Sequence, residues 1–284
     1  MSDHGARLDE ALRLPLAERL GPLVALGREA LAANGSAEPT ARRRLIDSLV
    51  ALLEEGAGAP TERVALGEVL GWLGDPRIRS AEDVGYWARM DGMSIAAWPV
   101  TNAEFHAWSR SGAYDSTRDW SETGWAWRQH CADPWPVVAA RDDARSFLVP
   151  NQPVVGVTWW EAEAFARSKA ARLPTADERA WAMRGAHKRP YPWGEPFGTG
   201  NANTREEVLG RPVAVGLFVR DRTPDGVGDL AGNTAEWLGD EIGGNRLIHP
   251  GAWDQPSMAS WAKAKDLRAP DDRSAAIGFR LAKD

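Results

Sequence analysis

Three Thr-x-x-Glu pairs punctuate this chain, at Thr101/Glu104, Thr158/Glu161 and Thr175/Glu178. In such a box the threonine hydroxyl accepts an early helix N–H, and the glutamate reaches back to the threonine amide, so each pair starts a helix. The spacing predicts a short helix after a strand ending at Val100, then helices over about 159–171 and 175–185. Around them the chain reads as short strands and turns: PVVGV before Thr158, then YPWG, GVGDLAGNTAEW, HPGAW and IGFRLA. Short strands interleaved with a few capped helices predict an α+β domain. Residues 111–150 are polar and Trp-rich without periodicity. They read as a long ordered loop, because tryptophans need something to pack on.

The first part of the chain has a different grammar. Leu8, Leu12, Leu14, Leu20, Leu23 and Leu26 recur at helical spacing, with Pro15 expected to split the helix and Asn34-Gly35 to stop it. A second helix is expected over about 40–55, with Leu45, Ile46, Leu49, Leu52 and Leu53 on one face. A third is expected over about 61–73, with Val64, Leu66, Val69 and Leu70 inward, ending at Gly74-Asp75-Pro76. We therefore divide the chain into a helical region, 1–82, and an α+β domain, 83–284. The LGDPR string is similar to the ends of HEAT-like repeats, but a single copy makes no solenoid. The helical region reads as a small bundle packed on, or tethered to, the second domain, for partner contact or support.

Composition excludes several classes of function. A formal net charge of −6 gives no general reason to bind nucleic acid or an acidic membrane. No signal peptide or membrane-spanning run is read, so the expected location is cytoplasmic, without membrane insertion. The single cysteine, Cys131, excludes an internal disulfide framework and a CxxC zinc site, and reads as a loop or partly buried thiol. No GxxxxGK[ST] string supports nucleotide hydrolysis, and no pair of acids is set apart as an acid–base dyad. His249 reads as structural. The others, His4, His106, His130 and His187, show neither HxxxH nor HExxH spacing.

Taken in order, the motifs resemble the formylglycine-generating enzyme (sulfatase-modifying factor) family, a variant of the C-type lectin fold. The likeness covers roughly residues 90–284. Val100-Thr101-Asn102, Pro153 to Trp159, Arg172-Leu173-Pro174-Thr175, Pro192-Trp193-Gly194, Gly232-Asn233, Glu236-Trp237 and Gly278-Phe279-Arg280 carry it. Two departures stand out: Ala176 replaces an acidic residue, and Arg179 stands where the family usually shows tryptophan. The resemblance implies a pair of cysteines, five residues apart, between the GAW-like and GFR-like motifs. Counting forward from Gly251 puts these positions at Gln255 and Ser260, and counting back from Pro270 at Ala252 and Ser257. The forward count has the nearer anchor. Neither count finds a thiol, so no catalytic residue is assigned and no copper is expected. On this reading the chain is not an enzyme. The histidine spacing likewise gives no support to an iron site like that of the related sulfoxide synthases. The resemblance also implies calcium, held by Asp229, Gly232, Thr234 and Glu236, whose hard oxygens suit that ion.

The stretch between Trp253 and Ile277 then reads as a ligand-binding surface made of Asp254, Gln255, Ser257, Met258, Ser260, Trp261, Lys263, Lys265, Asp266, Asp272, Ser274, Ala275 and Ala276. It is framed by scaffold-like Gly251, Trp253, Arg268, Pro270, Asp271 and Arg273 and by the GFR motif. This framing resembles the variable proteins of diversity-generating retroelements, which reuse the fold. Asp, Ser and Ala are reachable from an AAC codon by changing adenines only, and three of the five lysines lie in the final stretch. The implied partner is an unidentified macromolecule, most simply a protein. Two alternatives remain: an oxidase-type enzyme of the same family with unassigned residues, and a regulatory or sensor module acting through the helical region.

Overall fold

The computed structural model describes residues 3–33, 38–90, 92–131, 138 and 141–284. Four helices come first: α1 (Asp3–Arg13), α2 (Leu20–Ala32), α3 (Pro39–Glu54) and α4 (Pro60–Leu73). The break around Pro15 is as expected, while the Asn34-Gly35 stop lies outside the described residues. Helix α3 starts where the Glu38 side chain accepts from the Thr40 and Ala41 amides at 3.1 and 2.9 Å. Leu8, Leu23, Leu26, Leu45, Leu49, Leu53, Leu66 and Leu70 form the bundle core.

The bundle docks on the second domain through small residues. A Cβ on Gly67 would lie 2.8 Å from Ala214, and one on Gly71 would lie 2.7 Å from Val149 and 2.4 Å from Asn151. Val213, Leu217 and Phe218 complete the bundle core from the other side. Val64, expected inward, is only half-buried, and Arg63 is buried in the interface instead. Its guanidinium donates to the carbonyls of Gly56, Gly58 and Leu217 at 2.9, 2.6 and 3.2 Å. The Asn151 amide bridges the Gly67 carbonyl and the Asp75 carboxylate at 3.0 and 2.8 Å. The helical region is thus packed on its neighbour by a continuous apolar and hydrogen-bonded seam.

The second domain opens with a hairpin of β1 (Trp87–Met90) and β2 (Met93–Ala96), followed by α5 (Asn102–Arg110), α6 (Glu122–His130), α7 (Trp159–Ser168) and α8 (Ala176–Arg184). Strands β3 (Ala235–Ile242), β4 (Asn245–His249), β5 (Asp266–Arg268), β6 (Ile277–Phe279) and β7 (Ala282–Lys283) finish it. One sheet has the order β1-β2-β7, all antiparallel, and the other the order β5-β4-β3-β6, with β3 and β6 parallel. This is the expected α+β architecture. Helices α7 and α8 each end somewhat before the predicted boundaries. Helix α6 lies in the stretch expected to be loop. It carries Trp125 and Trp127 without an apolar stripe, so periodicity could not reveal it; the Ser121 hydroxyl caps it by accepting from the Gly124 amide.

All three Thr-x-x-Glu boxes form. The Thr101, Thr158 and Thr175 amides donate to Glu104, Glu161 and Glu178 at 2.9, 2.7 and 2.7 Å. Helices α5 and α7 press Phe105 and Phe165 against Phe279 of β6, with ring centroids 5.6–6.1 Å apart. Each of these rings is fully buried, a gain of roughly 2–3 kcal/mol apiece. Position 278 accepts only glycine, because a Cβ there would lie 2.2 Å from the Val154 carbonyl. This explains the glycine of the GFR motif.

Candidate functional site

The loop between β4 and β6 carries most of the predicted surface residues. It is pinned to the body by the Arg205 amide on the Gln255 carbonyl and the Ser257 amide on Glu206, both at 2.9 Å. Met258 is 78 % exposed and Trp261 48 % exposed, while Lys263 and Lys265 point outward. Asp254, Gln255, Ser257, Asp266, Asp272, Ser274 and Ala275 are half-buried. Lys265 faces Asp177 of α8 at 3.8 Å, and Arg268 gathers Asp266 and Asp272 at 2.7 and 3.6 Å. Two of the expected residues do not belong to this face. Ser260 is fully buried, and Ala276 lies in the core, where its carbonyl pairs with the Ala235 amide beside the β3–β6 ladder. Asp271, expected as scaffold, is exposed.

Arg273 of this loop reaches back to the body. Its guanidinium pairs with the buried Glu161 at 2.9 Å, lies 3.5 Å from the Cys131 sulfur, and covers the Trp127 ring at 5.1 Å from its centroid. The Tyr114 hydroxyl also donates to Glu161. Glu161 therefore serves twice, as the reciprocal cap of α7 and as the buried counter-ion of the loop. Trp127 stacks on Trp160 with centroids 5.5 Å apart. Tyr114, Trp127 and Cys131 were not expected at the site; they come from the segment whose order no motif announces. Cys131 is half-buried, as the bland reading of it held.

At the two positions counted forward for the family's cysteines, Gln255 is half-buried with its amide 3.3 Å from Asp254, and the Ser260 hydroxyl has no hydrogen-bond partner among the described residues. His249 is buried. Its Nδ1 faces the Gly251 amide at 3.3 Å and its Nε2 the Trp261 carbonyl at 3.1 Å, and burial pushes it well below the usual imidazole range. A neutral ring bracing the loop backbone matches its structural reading.

The four residues named for calcium are all engaged in hydrogen bonds within the protein. Both oxygens of the buried Glu236 carboxylate are taken by arginines. Arg179 Nε donates at 2.6 Å, and Arg280 donates through Nη2 at 2.7 Å and through Nε at 2.9 and 3.0 Å. The Asp229 carboxylate faces the Gly216 amide at 3.2 Å and the Asn233 side chain at 3.1 Å. The Gly232 carbonyl accepts from the Thr234 amide at 2.9 Å. Asp221, which no motif marks, accepts from the amides of Leu230, Ala231 and Gly232 at 2.9–3.1 Å and shapes the same loop. Burial and the nearby Asp229 push its carboxyl up to about 7. This donor set does not fit calcium, which needs six or more oxygens turned inward. Among the described residues, no group of three or more His, Cys, Asp or Glu is placed to hold a metal.

A groove of about 640 Å³ lies elsewhere, along α7, α8 and the β3–β4 pair, lined in part by Trp159, Arg167, Arg172, Asp240 and Arg246. None of the predicted site residues lines it.

Comparison with known proteins joins these observations. The hercynine oxygenase of Mycolicibacterium thermoresistibile is 32 % identical over 208 residues, covering 63 % of this chain and 46 % of the relative. The formylglycine-generating enzyme of Streptomyces coelicolor is 30 % identical over 182 residues, covering 50 % and 57 %. The chain thus spans about half the length of the curated relatives it matches. Among solved structures, PvdO from Pseudomonas aeruginosa superposes with a TM-score of 0.51 at 21 % identity, covering 68 % of this chain and 80 % of PvdO, a likeness of fold. The likeness to Treponema denticola variable protein 1 is weaker, with a TM-score of 0.47 at 18 % identity over 67 % of this chain and 85 % of that one. The hercynine oxygenases overturn the expectation that the chain is not an enzyme. Missing cysteines exclude one thiol chemistry, and related proteins are enzymes of another name. The sulfatase-modifying factor enzyme 1-like domain matches residues 79–284, nearly three quarters of the sequence, and the chain belongs to that family.

Proposed function

We propose that this chain is an oxygenase- or oxidase-type enzyme of the family, and that its lectin-type domain binds a small substrate on the face formed by the 253–275 loop and the Glu161–Arg273 pair. The observation that carries this is the 32 % identity over 208 residues to a protein named hercynine oxygenase. The geometry gives the face suitable groups. Arg273 is fixed in direction by the buried Glu161 carboxylate, and this ion pair gives the face a rigid polar anchor. Trp127 and Trp160 offer flat area beside it, and Asp254 and Asp272 supply negative charge for a cationic group. We assign no step to a metal, because no donor cluster comes together among the described residues.

The test is calorimetric titration of the purified chain with hercynine, together with oxygen uptake in the presence of hercynine and ferrous iron. Binding that Arg273→Ala weakens about tenfold or more supports the reading, since a buried charge-assisted contact is worth at least that. The absence of both binding and substrate-dependent oxygen uptake at saturating hercynine would overturn the small-molecule assignment.

A second reading rests on the exposure of Met258 and Trp261 beside Lys263 and Lys265. A loop pinned at Gln255 and Ser257 that presents apolar area rimmed by charge suits a macromolecular partner, as expected for a variable protein. On that reading Trp261→Ala abolishes capture of the partner, and the wild-type chain shows no saturable hercynine binding.

A further inference from the structure

We infer that Arg179 is a built-in cation serving in place of the calcium that the family resemblance implies, so that the Asp229–Glu236 loop folds without metal. Three observations point the same way. First, Arg179 projects from α8 into the interior and is 1 % exposed. Second, its guanidinium joins two groups of the loop. Nε donates to Glu236 at 2.6 Å and Nη2 to the Leu230 carbonyl at 2.8 Å. It thus makes the contacts a bound cation would make, to a carboxylate and to a main-chain carbonyl.

Third, the Glu236 and Asp229 carboxylates are already engaged by other groups of the protein. Arg280 fills the other side of Glu236 and also donates to the Gly228 and Asp229 carbonyls at 2.9 and 3.0 Å. The Asp229 side chain is turned to Gly216 and Asn233. A divalent ion entering here would displace guanidinium hydrogen bonds and sit beside two fixed positive charges that already share Glu236.

The experiment is thermal unfolding of the full chain in excess EDTA and in millimolar calcium, alongside terbium titration read by tryptophan-sensitised emission; the fully buried Trp237 adjoins Glu236. The wild-type melting temperature should be the same in both buffers, and terbium emission should show no saturable site. Arg179→Met should lower the melting temperature by about 10 °C in both buffers, because it leaves a buried carboxylate half-paired. A calcium-dependent rise for the wild type, saturable terbium binding, or an Arg179→Met chain that melts like the wild type would each overturn the inference. The wild-type measurements decide the matter even if the variant does not fold.

Discussion

Glu236, Glu161 and Glu104 show how one residue type takes three fates, the first two fully buried and the third half-buried. Between two arginines, the carboxyl of Glu236 is held down at about 2 despite full burial. Its stabilising effect is therefore present above the ordinary carboxylate range and lost only in strong acid. Glu161 answers to Arg273 and Tyr114, which ties the cap of α7 to the loop beyond β5. Glu104 faces no guanidinium; it accepts from the Thr101 amide and hydroxyl at 2.9 and 2.7 Å, and burial pushes it up to about 6. It binds its proton more tightly folded than unfolded. That contribution is complete below the unfolded value and is lost as pH rises through about 6, a difference of about 2 kcal/mol. Glu104→Gln keeps an acceptor for both Thr101 donors. Asp221 titrates in the same window, so in urea denaturation at about pH 4 and about pH 7.5 the loss of stability should be greater in the wild type than in the variant by about 2 kcal/mol. At this scale the sequence disclosed the boxes, because they are local. It did not disclose Asp221, whose three backbone partners lie nine to eleven residues away and leave no motif.

Among the elements, helix starts were legible and strands less so. Thr158 and Thr175 each satisfy early amides of the helices they open, with the Glu161 and Glu178 amides donating to the hydroxyls at 3.2 Å. The two caps differ in setting. Thr158 is fully buried and Thr175 is exposed, so water can replace the hydroxyl at one and not at the other. Thr175→Ala should cost about 1 kcal/mol and Thr158→Ala about 2 kcal/mol or more in equilibrium unfolding. Similar losses at the two sites would contradict that difference. Helix α6 escaped the sequence because its tryptophans pack sideways on Trp120 and Trp160, with no apolar stripe to count. Strands β5 to β7 are three residues or fewer and carry no alternation to read. Of the predicted surface, Ser260 and Ala276 were misplaced because the loop doubles back into the core at both, a path that residue types do not encode.

For the whole molecule, the boundary near residue 82 marks a change of architecture and not a joint. Val213, Leu217 and Phe218 are buried against the helical bundle, and Arg63 crosses to the Leu217 carbonyl. Removing residues up to 74 would expose three large apolar side chains, a loss of roughly 6 kcal/mol. The truncated chain should run as large species in size-exclusion chromatography or lose its cooperative melt. A monodisperse product that melts like the full chain would mean the bundle is an independent appendage.

The final strand lies beside the hairpin that opens the α+β domain. Lys283 of β7 pairs with Ser94 and Ala282 with Ile95 of β2, itself the partner of β1. Backbone goes in and comes out at the same doorway, so a pull on either doorpost loads the same three-stranded sheet, with β2 as the shared lintel.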